Sequence, residues 1–447
     1  MLSRNDVNYK AWWGICFLMI APPVFSEDLL GVYRKALQSD PQLLGAEYAH
    51  AAAGEGLDEA VGRMVPQLGF EYSGGRTQQD TLRSDIAYLR PLGENDYSMT
   101  EYSLTLTQPV FNWGFYTSYK QAKSEMSRAD ADFNSKQQDL ILRVVERYLE
   151  ILAAEDEIGF AESEKAAVYK QLELLQGLMK RGLASTTELY DAQARYANVE
   201  AKEIAARSHY DDQLQALREI VGSLAGDLAT LKPDIALVYP EPRDPGSWMK
   251  AALVQNPRVI SQMRAVDVSR YEVALQRAGH IPTLDFTARS NNIDTDGSLS
   301  GGGSKVETRE LLLRLKVPLF QGGVVSSRIR RSHHLHQKGK QDLIEVQRSA
   351  QRAARSGYYG LISAISKVKA LDKSVKSQDL ALQAKQRGYL FGLFNSIDVL
   401  DAERDAYEAK RNHSRARYDY LLYGLRLKHS VGTLSGADIN GINLWLE

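Results

Sequence analysis

The chain has 447 residues, 44% of them hydrophobic and 25% charged, with a net charge of -1. That supports a large core and gives no electrostatic reason to expect a nucleic-acid partner. Beyond the N-terminus no run of about 18 apolar residues occurs, so no transmembrane helix is expected.

At the start, Arg4 and Lys10 supply a positive region and Ala11 to Phe25 an apolar one, ended by Val24-Phe25-Ser26. This predicts a secretory signal peptide over 1–26, cleaved after Ser26. A membrane anchor fits less well, because the stretch is short and broken by Pro22-Pro23. The single cysteine, Cys16, follows the bulky Ile15 and lies inside this segment. An exported chain without cysteine owes nothing to disulfides, so packing or assembly must stabilise it.

The remainder is written twice, over 32–224 and 248–434. Ala36…Asp40-Pro41 returns as Ala252…Asn256-Pro257, and Pro66-Gln67-Leu68-Gly69-Phe70 as Pro282-Thr283-Leu284-Asp285-Phe286. Gln108-Pro109-Val110-Phe111 answers Val317-Pro318-Leu319-Phe320, Leu189-Tyr190-Asp191-Ala192-Gln193 answers Val399-Leu400-Asp401-Ala402-Glu403, and Val221-Gly222-Ser223-Leu224 answers Val431-Gly432-Thr433-Leu434. The expected organisation is a first repeat over 27–232, a linker over 233–247, a second repeat over 248–434 and a C-terminal segment over 435–447. Each repeat holds a strand hairpin (66–109; 282–318) and a helical hairpin (110–224; 319–434).

In the first copy Leu68, Phe70 and Tyr72 alternate with polar or small neighbours, as do Tyr102, Leu104 and Leu106. In the second, Leu284, Phe286 and Ala288 alternate with polar residues, and Leu311, Leu313 and Leu315 occupy every other place. Alternation gives one apolar and one wet face. Segments of about ten residues match the length of tilted bilayer-crossing strands. Polar loops are expected to join the pairs over roughly 75–98 and 290–309, the latter containing Gly301-Gly302-Gly303.

After each strand pair comes a tract without proline, over 110–232 and 319–447. Proline costs about 3 kcal/mol inside a helix, so these tracts read as helical. Ile141, Val145, Tyr148 and Leu152, then Val168, Leu172, Leu175 and Met179, form coiled-coil-like stripes. Each tract breaks once. Gly182 suits a helix end and Ser185 with Glu188 a capping box; Gly392 suits the second end, with Asn395 and Asp398 as the next cap. Each copy should therefore fold back as a long antiparallel helical hairpin with a glycine tip.

Four strands cannot close a barrel, and an open edge in lipid leaves backbone groups unpaired at several kcal/mol each. The smallest transmembrane barrels need about eight strands, so the chain must oligomerise if its strands cross a membrane. A dimer would supply eight strands and a filled interior; a trimer would supply twelve and room for a channel.

Along its mature length the chain resembles the TolC family of outer-membrane export ducts. The resemblance rests on Pro66-Gln67-Leu68-Gly69, Leu106-Thr107-Gln108-Pro109-Val110-Phe111, His280-Ile281-Pro282-Thr283-Leu284-Asp285, Val317-Pro318-Leu319-Phe320-Gln321-Gly322-Gly323 and Ile397-Asp398-Val399-Leu400-Asp401-Ala402. It implies a mostly α fold with β: a homotrimer with a twelve-stranded barrel in the outer membrane of a Gram-negative bacterium and a long α-helical barrel in the periplasm. Asp40-Pro41, the 225–250 linker and 435–447 would form a belt around the helices. Implied partners are a periplasmic adaptor, an inner-membrane transporter of the ABC, RND or MFS class, and outer-membrane lipid. The function implied is a passive exit duct for type I secretion or multidrug efflux.

Asp398 and Asp401 share a helix face. Three-fold symmetry would make them carboxylate rings, which select and bind cations; the resemblance assigns both to the gate, although Asp398 also suits a helix N-terminus. The family pattern adds Tyr389, Thr187, Glu188 and Gln171 as ties that close the entrance. Where a typical member has arginine this chain has Phe394, with Arg387 nearby, so closure is expected to rest on Tyr389 and on packing of Phe394. Arg181, Gly182 and Leu183 with Phe391, Gly392 and Leu393 are the implied adaptor-docking tips.

His333, His334 and His336 lie among Arg328, Arg330, Arg331, Lys338 and Lys340. They lack a third metal ligand, so the stretch is expected to face water or acidic headgroups beneath the barrel. Trp113, Phe115, Tyr116 and Tyr119 hold the equivalent place in the first copy, as an aromatic girdle or as helix packing. No phosphate loop, dinucleotide fingerprint, nucleophile elbow or zinc motif occurs, so neither enzyme activity nor a cofactor is expected. The competing architecture is a periplasmic coiled-coil scaffold with two small hairpins; a small-solute porin is disfavoured by the length of the helices.

Overall fold

The computed structural model describes residues 27–80, 82, 94–224, 226, 228–298 and 302–447. The expected signal peptide, most of the loop between the first strand pair and Gly301 lie outside the described residues. In the first repeat, α1 (Leu29–Ser39) and α2 (Pro41–Gly62) lead into β1 (Gln67–Asp80), β2 (Glu94–Phe111), α3 (Trp113–Lys180) and α4 (Thr186–Val221). The second repeats the plan with α5 (Pro245–Gln255), α6 (Pro257–Ala278), β3 (Thr283–Thr295), β4 (Ser304–Lys316), α7 (Val324–Leu390) and α8 (Ser396–Val431), followed by α9 (Gly436–Asn443).

The paired helices at the start of each repeat were not foreseen from sequence; their signal is the Asp40-Pro41 and Asn256-Pro257 steps. A residue before proline is pushed out of the helical region, and Asp or Asn there caps the helix that proline begins. Asp40 has φ -68° and ψ 115° and accepts from Leu43 N at 2.8 Å; Asn256 has φ -66° and ψ 120° and accepts from Arg258 N at 2.9 Å. Buried Asp40 is also held by both terminal nitrogens of Arg143 at 3.0 and 2.7 Å. One sharp bend per repeat thus separates a belt helix from a helix that climbs towards the strands.

The four strands form one antiparallel sheet in the order β1-β2-β3-β4. Its register carries Leu68, Leu106, Ala288 and Leu311 across the sheet in one row, and Gly69, Thr105, Arg289 and Glu310 in the next row on the opposite face. The apolar face is bare: Phe70 is 71% exposed and Leu311 78%. The strands run to 14, 18, 13 and 13 residues, longer than the ten expected, because pairing continues through polar residues expected in the loops. Gly75 pairs with Met99 and Asp80 with Glu94, and Ser290 to Thr295 pair with Arg309 back to Ser304. Polar side chains do not interrupt a ladder whose bonds are all main-chain.

With 68 residues, α3 is about 100 Å long at 1.5 Å per residue; α7 has 67 and the returning helices α4 and α8 only 36 each. The hairpins are therefore lopsided. The lower half of α3 packs on α4 and that of α7 on α8, while the upper halves sit beside α2 and α6, in the lateral order α2, α3, α6, α7. Ile141, Val145, Tyr148 and Leu152 are buried, as are Val168, Leu172 and Leu175. Around the middle of the long helices, α1, the segment after 228 and α9 pack together: Leu29, Val32, Leu231, Ile439 and Leu446 join the largest core, and Thr230 exchanges main-chain bonds with Glu447. Among the described residues no helix is long and apolar enough to cross a membrane.

Candidate pore entrance at the hairpin tips

Both hairpins turn by the same device. Leu183 N bonds to Leu178 O and Gly182 N to Met179 O, each at 2.9 Å; Leu393 N bonds to Gly388 O at 2.9 Å and Gly392 N to Tyr389 O at 3.0 Å. This double closure needs a left-handed residue, and Gly182 and Gly392 both have φ 73°. The next helix opens with a reciprocal cap. Ser185 N bonds to Glu188 Oε2 at 3.0 Å while Glu188 N bonds to Ser185 Oγ at 3.2 Å; Asn395 N bonds to Asp398 Oδ2 at 3.0 Å while Asp398 N bonds to Asn395 Oδ1 at 2.8 Å. Asp398 is thus the capping acid of α8, whatever else it does.

The tips project apolar side chains into solvent: Leu183 is 70% exposed, Phe391 81% and Leu393 75%. Arg181 is exposed beside them. Thr187 is exposed in the first turn of α4, and Tyr389 is half-buried in the last turn of α7. Gln171, on α3, reaches the second hairpin, its Nε2 donating to the buried Ser396 Oγ at 2.9 Å. Among the described residues no hydrogen bond joins Thr187 or Glu188 to Tyr389 or Asp398 within one chain.

The Phe394 ring packs against Gly388. A Cβ built on Gly388 would stand 2.6 Å from Phe394 Cδ2, so the ring occupies the space of a side chain. Phe394 leaves no ion pair at its own position, yet the hairpins are joined by one elsewhere. Arg195 on α4 donates from Nη2 to Leu400 O at 3.1 Å and to Asp401 Oδ1 at 3.4 Å, and Arg404 Nη1 lies 3.3 Å from the same carboxylate. Sequence reasoning missed Arg195. Its signal is a reversal of charge between the copies: stepping four residues on from the matched Asp191 and Asp401 gives Arg195 and Asp405.

Farther up, the basic stretch of α7 divides. His336 Nδ1 is 2.9 Å from Ser269 Oγ on α6, while Arg328, Arg330, Arg331, His333 and His334 are exposed. The Trp113 and Tyr116 rings lie 5.2 Å apart and tilted by 40° below β2, both partly exposed.

The outer membrane efflux protein family matches residues 32–223 and 248–433, both repeats. The chain is 30% identical over 432 residues to outer membrane protein TolC of Vibrio cholerae serotype O1, covering 96% of each chain. It is 32% identical over 436 residues to the alkaline protease secretion protein AprF of Pseudomonas aeruginosa, covering 96% of this chain and 89% of that one. The fold matches the crystal structure of the Campylobacter jejuni CmeC outer membrane channel with a TM-score of 0.80 at 15% identity, over 100% of this chain and 98% of the other. A duplicated chain with one bare-faced sheet above two glycine-tipped hairpins, matched by this family over both repeats, belongs to the outer membrane efflux protein family and is an outer-membrane exit duct with a long periplasmic helical extension.

Proposed function

We propose that three copies assemble into one duct, with a twelve-stranded barrel in lipid and a helical barrel below, and that the second hairpin tip gates its periplasmic end. The carrying observation is the sheet: β1 and β4 have no partner on their outer edges among the described residues, and the face between them is apolar and exposed. Lipid forbids such edges, so β4 of one copy closes on β1 of the next.

The duplication supports this closure residue by residue. Within the chain α3 and α6 meet as neighbours, Gln121 Nε2 donating to Glu272 Oε2 at 3.0 Å. Counted back from the matched tip glycines, the repeat puts Arg331 where α3 has Gln121, and Gly56 where α6 has Glu272. Both are exposed on the outer helices α7 and α2, and Glu55 and Glu59 flank Gly56 with charge to match Arg331. The seam between copies repeats the seam within one.

In this reading Asp398, Asp401, Tyr389, Phe394, Glu188, Thr187 and Gln171 form the entrance. The 181–183 and 391–393 tips receive a periplasmic adaptor that joins the duct to an energised inner-membrane transporter. The export role is supported by AprF, named for alkaline protease secretion.

The single cysteine, Cys16, falls in the expected signal peptide, which makes the assembly directly testable. Gly56→Cys with Arg331→Cys, oxidised in outer membranes, should give a denaturant-resistant ladder of dimers and trimers. A Cβ at Gly56 meets nothing within 4 Å in the single chain. No ladder from a protein that runs as a monomer would overturn the duct in favour of a scaffold.

A further inference from the structure

Between the two hairpins, two turns above the Asn395 cap, three buried polar atoms have no hydrogen-bond partner among the described residues: Glu403 Oε2, Glu164 Oε1 and Arg195 Nε. Glu403 is 6% exposed and Glu164 1%. The two carboxyls share one environment but not one supply of cations. Glu164, on α3, accepts from Arg411 Nη1 at 2.8 Å through Oε2, and its Oε1 lies 4.0 Å from Lys202 Nζ on α4. Glu403, on α8, has only a long contact of 3.4 Å from Gln386 Nε2 on α7. Arg195, the nearest cation on α4, is committed to Leu400 O and Asp401. On α8 itself Tyr407 and Arg411 border the cluster, and farther along Lys410 is matched by Asp379 of α7 at 3.0 Å.

An unpaired carboxylate in such a place is costly, whereas a neutral acid is tolerated. Glu403 lies two positions beyond Asp401, on the opposite side of α8, so while Asp401 meets Arg195 at a half-exposed edge, Glu403 is turned into the buried packing beside Gln386 of α7. We propose that Glu403 is a proton-held seal of the entrance: as a neutral acid it lets α8 pack against the first hairpin, and releasing its proton to periplasmic water loosens that packing and favours opening. This rests on the reading that the duct is gated at its hairpin tips.

Burial pushes the Glu403 carboxyl above the ordinary glutamate range; the Gln386 contact and Arg195 oppose the shift and the Glu164 charge adds to it. The sign follows. The closed form binds the proton more tightly, so protons favour closure. That bias is complete below the ordinary glutamate value and disappears as pH rises through the raised one. The closed-to-open ratio changes by about tenfold for each pH unit separating the two values.

Resting single-channel conductance in planar bilayers, titrated upward from the ordinary glutamate range, reads this. Wild-type channels should show an open fraction that rises with pH, and Glu403→Gln should remain in the closed range throughout. Glu164→Gln, which removes the neighbouring charge, should move the rise to lower pH and serves if Glu403→Gln fails to assemble. A wild-type open fraction indifferent to pH, a rise that persists in Glu403→Gln, or a rise unmoved by Glu164→Gln would each overturn the seal. Channels indifferent to Glu403 defeat only this inference; a chain that forms no channel in any bilayer defeats the duct itself.

Discussion

The two hairpin tips share a backbone and differ in what they carry. Each closes through a left-handed glycine and opens its next helix with a reciprocal cap. At the first tip the turn before the glycine holds the large Leu178, and the loop after it holds the small Ala184; at the second, Gly388 is small and Phe394 large. The bulk has moved from helix to loop, and with it the ring has come to rest on the helix backbone. The carboxylates differ as well. Asp191 is exposed without an ion pair among the described residues, while its counterpart Asp401 is held by Arg195 of the other hairpin. The turns are equivalent, but of the two matched carboxylates only that of the second tip is tied to the neighbouring hairpin, as the proposed gate would need.

The difference between the tips is greatest at the cross-hairpin pair. Arg195→Glu sets like charges opposite Asp401 and should raise resting single-channel conductance several-fold; unchanged conductance would detach the pair from closure. Being partly solvated, with side chains 22% and 46% exposed, the pair is worth only about 1 kcal/mol in stability, so assembly should survive. Next in size, Gly388→Ala drives a Cβ into the Phe394 ring and should cost about 1–3 kcal/mol by overpacking. Phe394→Ala should relieve most of that cost, and a thermal-unfolding cycle of the single and double variants measures the coupling. Alone, Phe394→Ala should raise resting conductance, since the ring packing helps to hold the tip. Gly182→Ala and Gly392→Ala test the shared part: each should cost about 1–2 kcal/mol, equally, because both glycines have φ 73°. The smallest effects belong to the caps, where Glu188→Gln and Asp398→Asn should each cost about 0.5–1 kcal/mol in thermal stability, with only Asp398→Asn altering cation selectivity.

Much of this was legible in the sequence because periodic signals are redundant. Alternation in four segments and an absence of proline over two long tracts state strands and helices many times over. Gly182, Ser185, Gly392 and Asn395 announce turns by chemistry confined to a few neighbouring residues. The hidden parts depend on single residues or on distance. The climbing helices α2 and α6 hide because α2 is rich in alanine and glycine and α6 in polar residues, leaving no strong apolar stripe. Arg195 and Asp401 meet across 206 residues, and Glu164 and Arg411 across 247, separations at which no local pattern exists. Glu403 reads as one solvated acid among many until burial singles it out.

In the proposed duct the second tip, and not the first, holds the entrance closed. This is tested most directly by the resting single-channel conductance of Asp191→Ala beside Asp401→Ala, the matched pair, in one bilayer system. The divergence of the tips predicts a conductance several-fold above wild type for Asp401→Ala and wild-type conductance for Asp191→Ala. Equal effects, or an effect of Asp191→Ala alone, would contradict it.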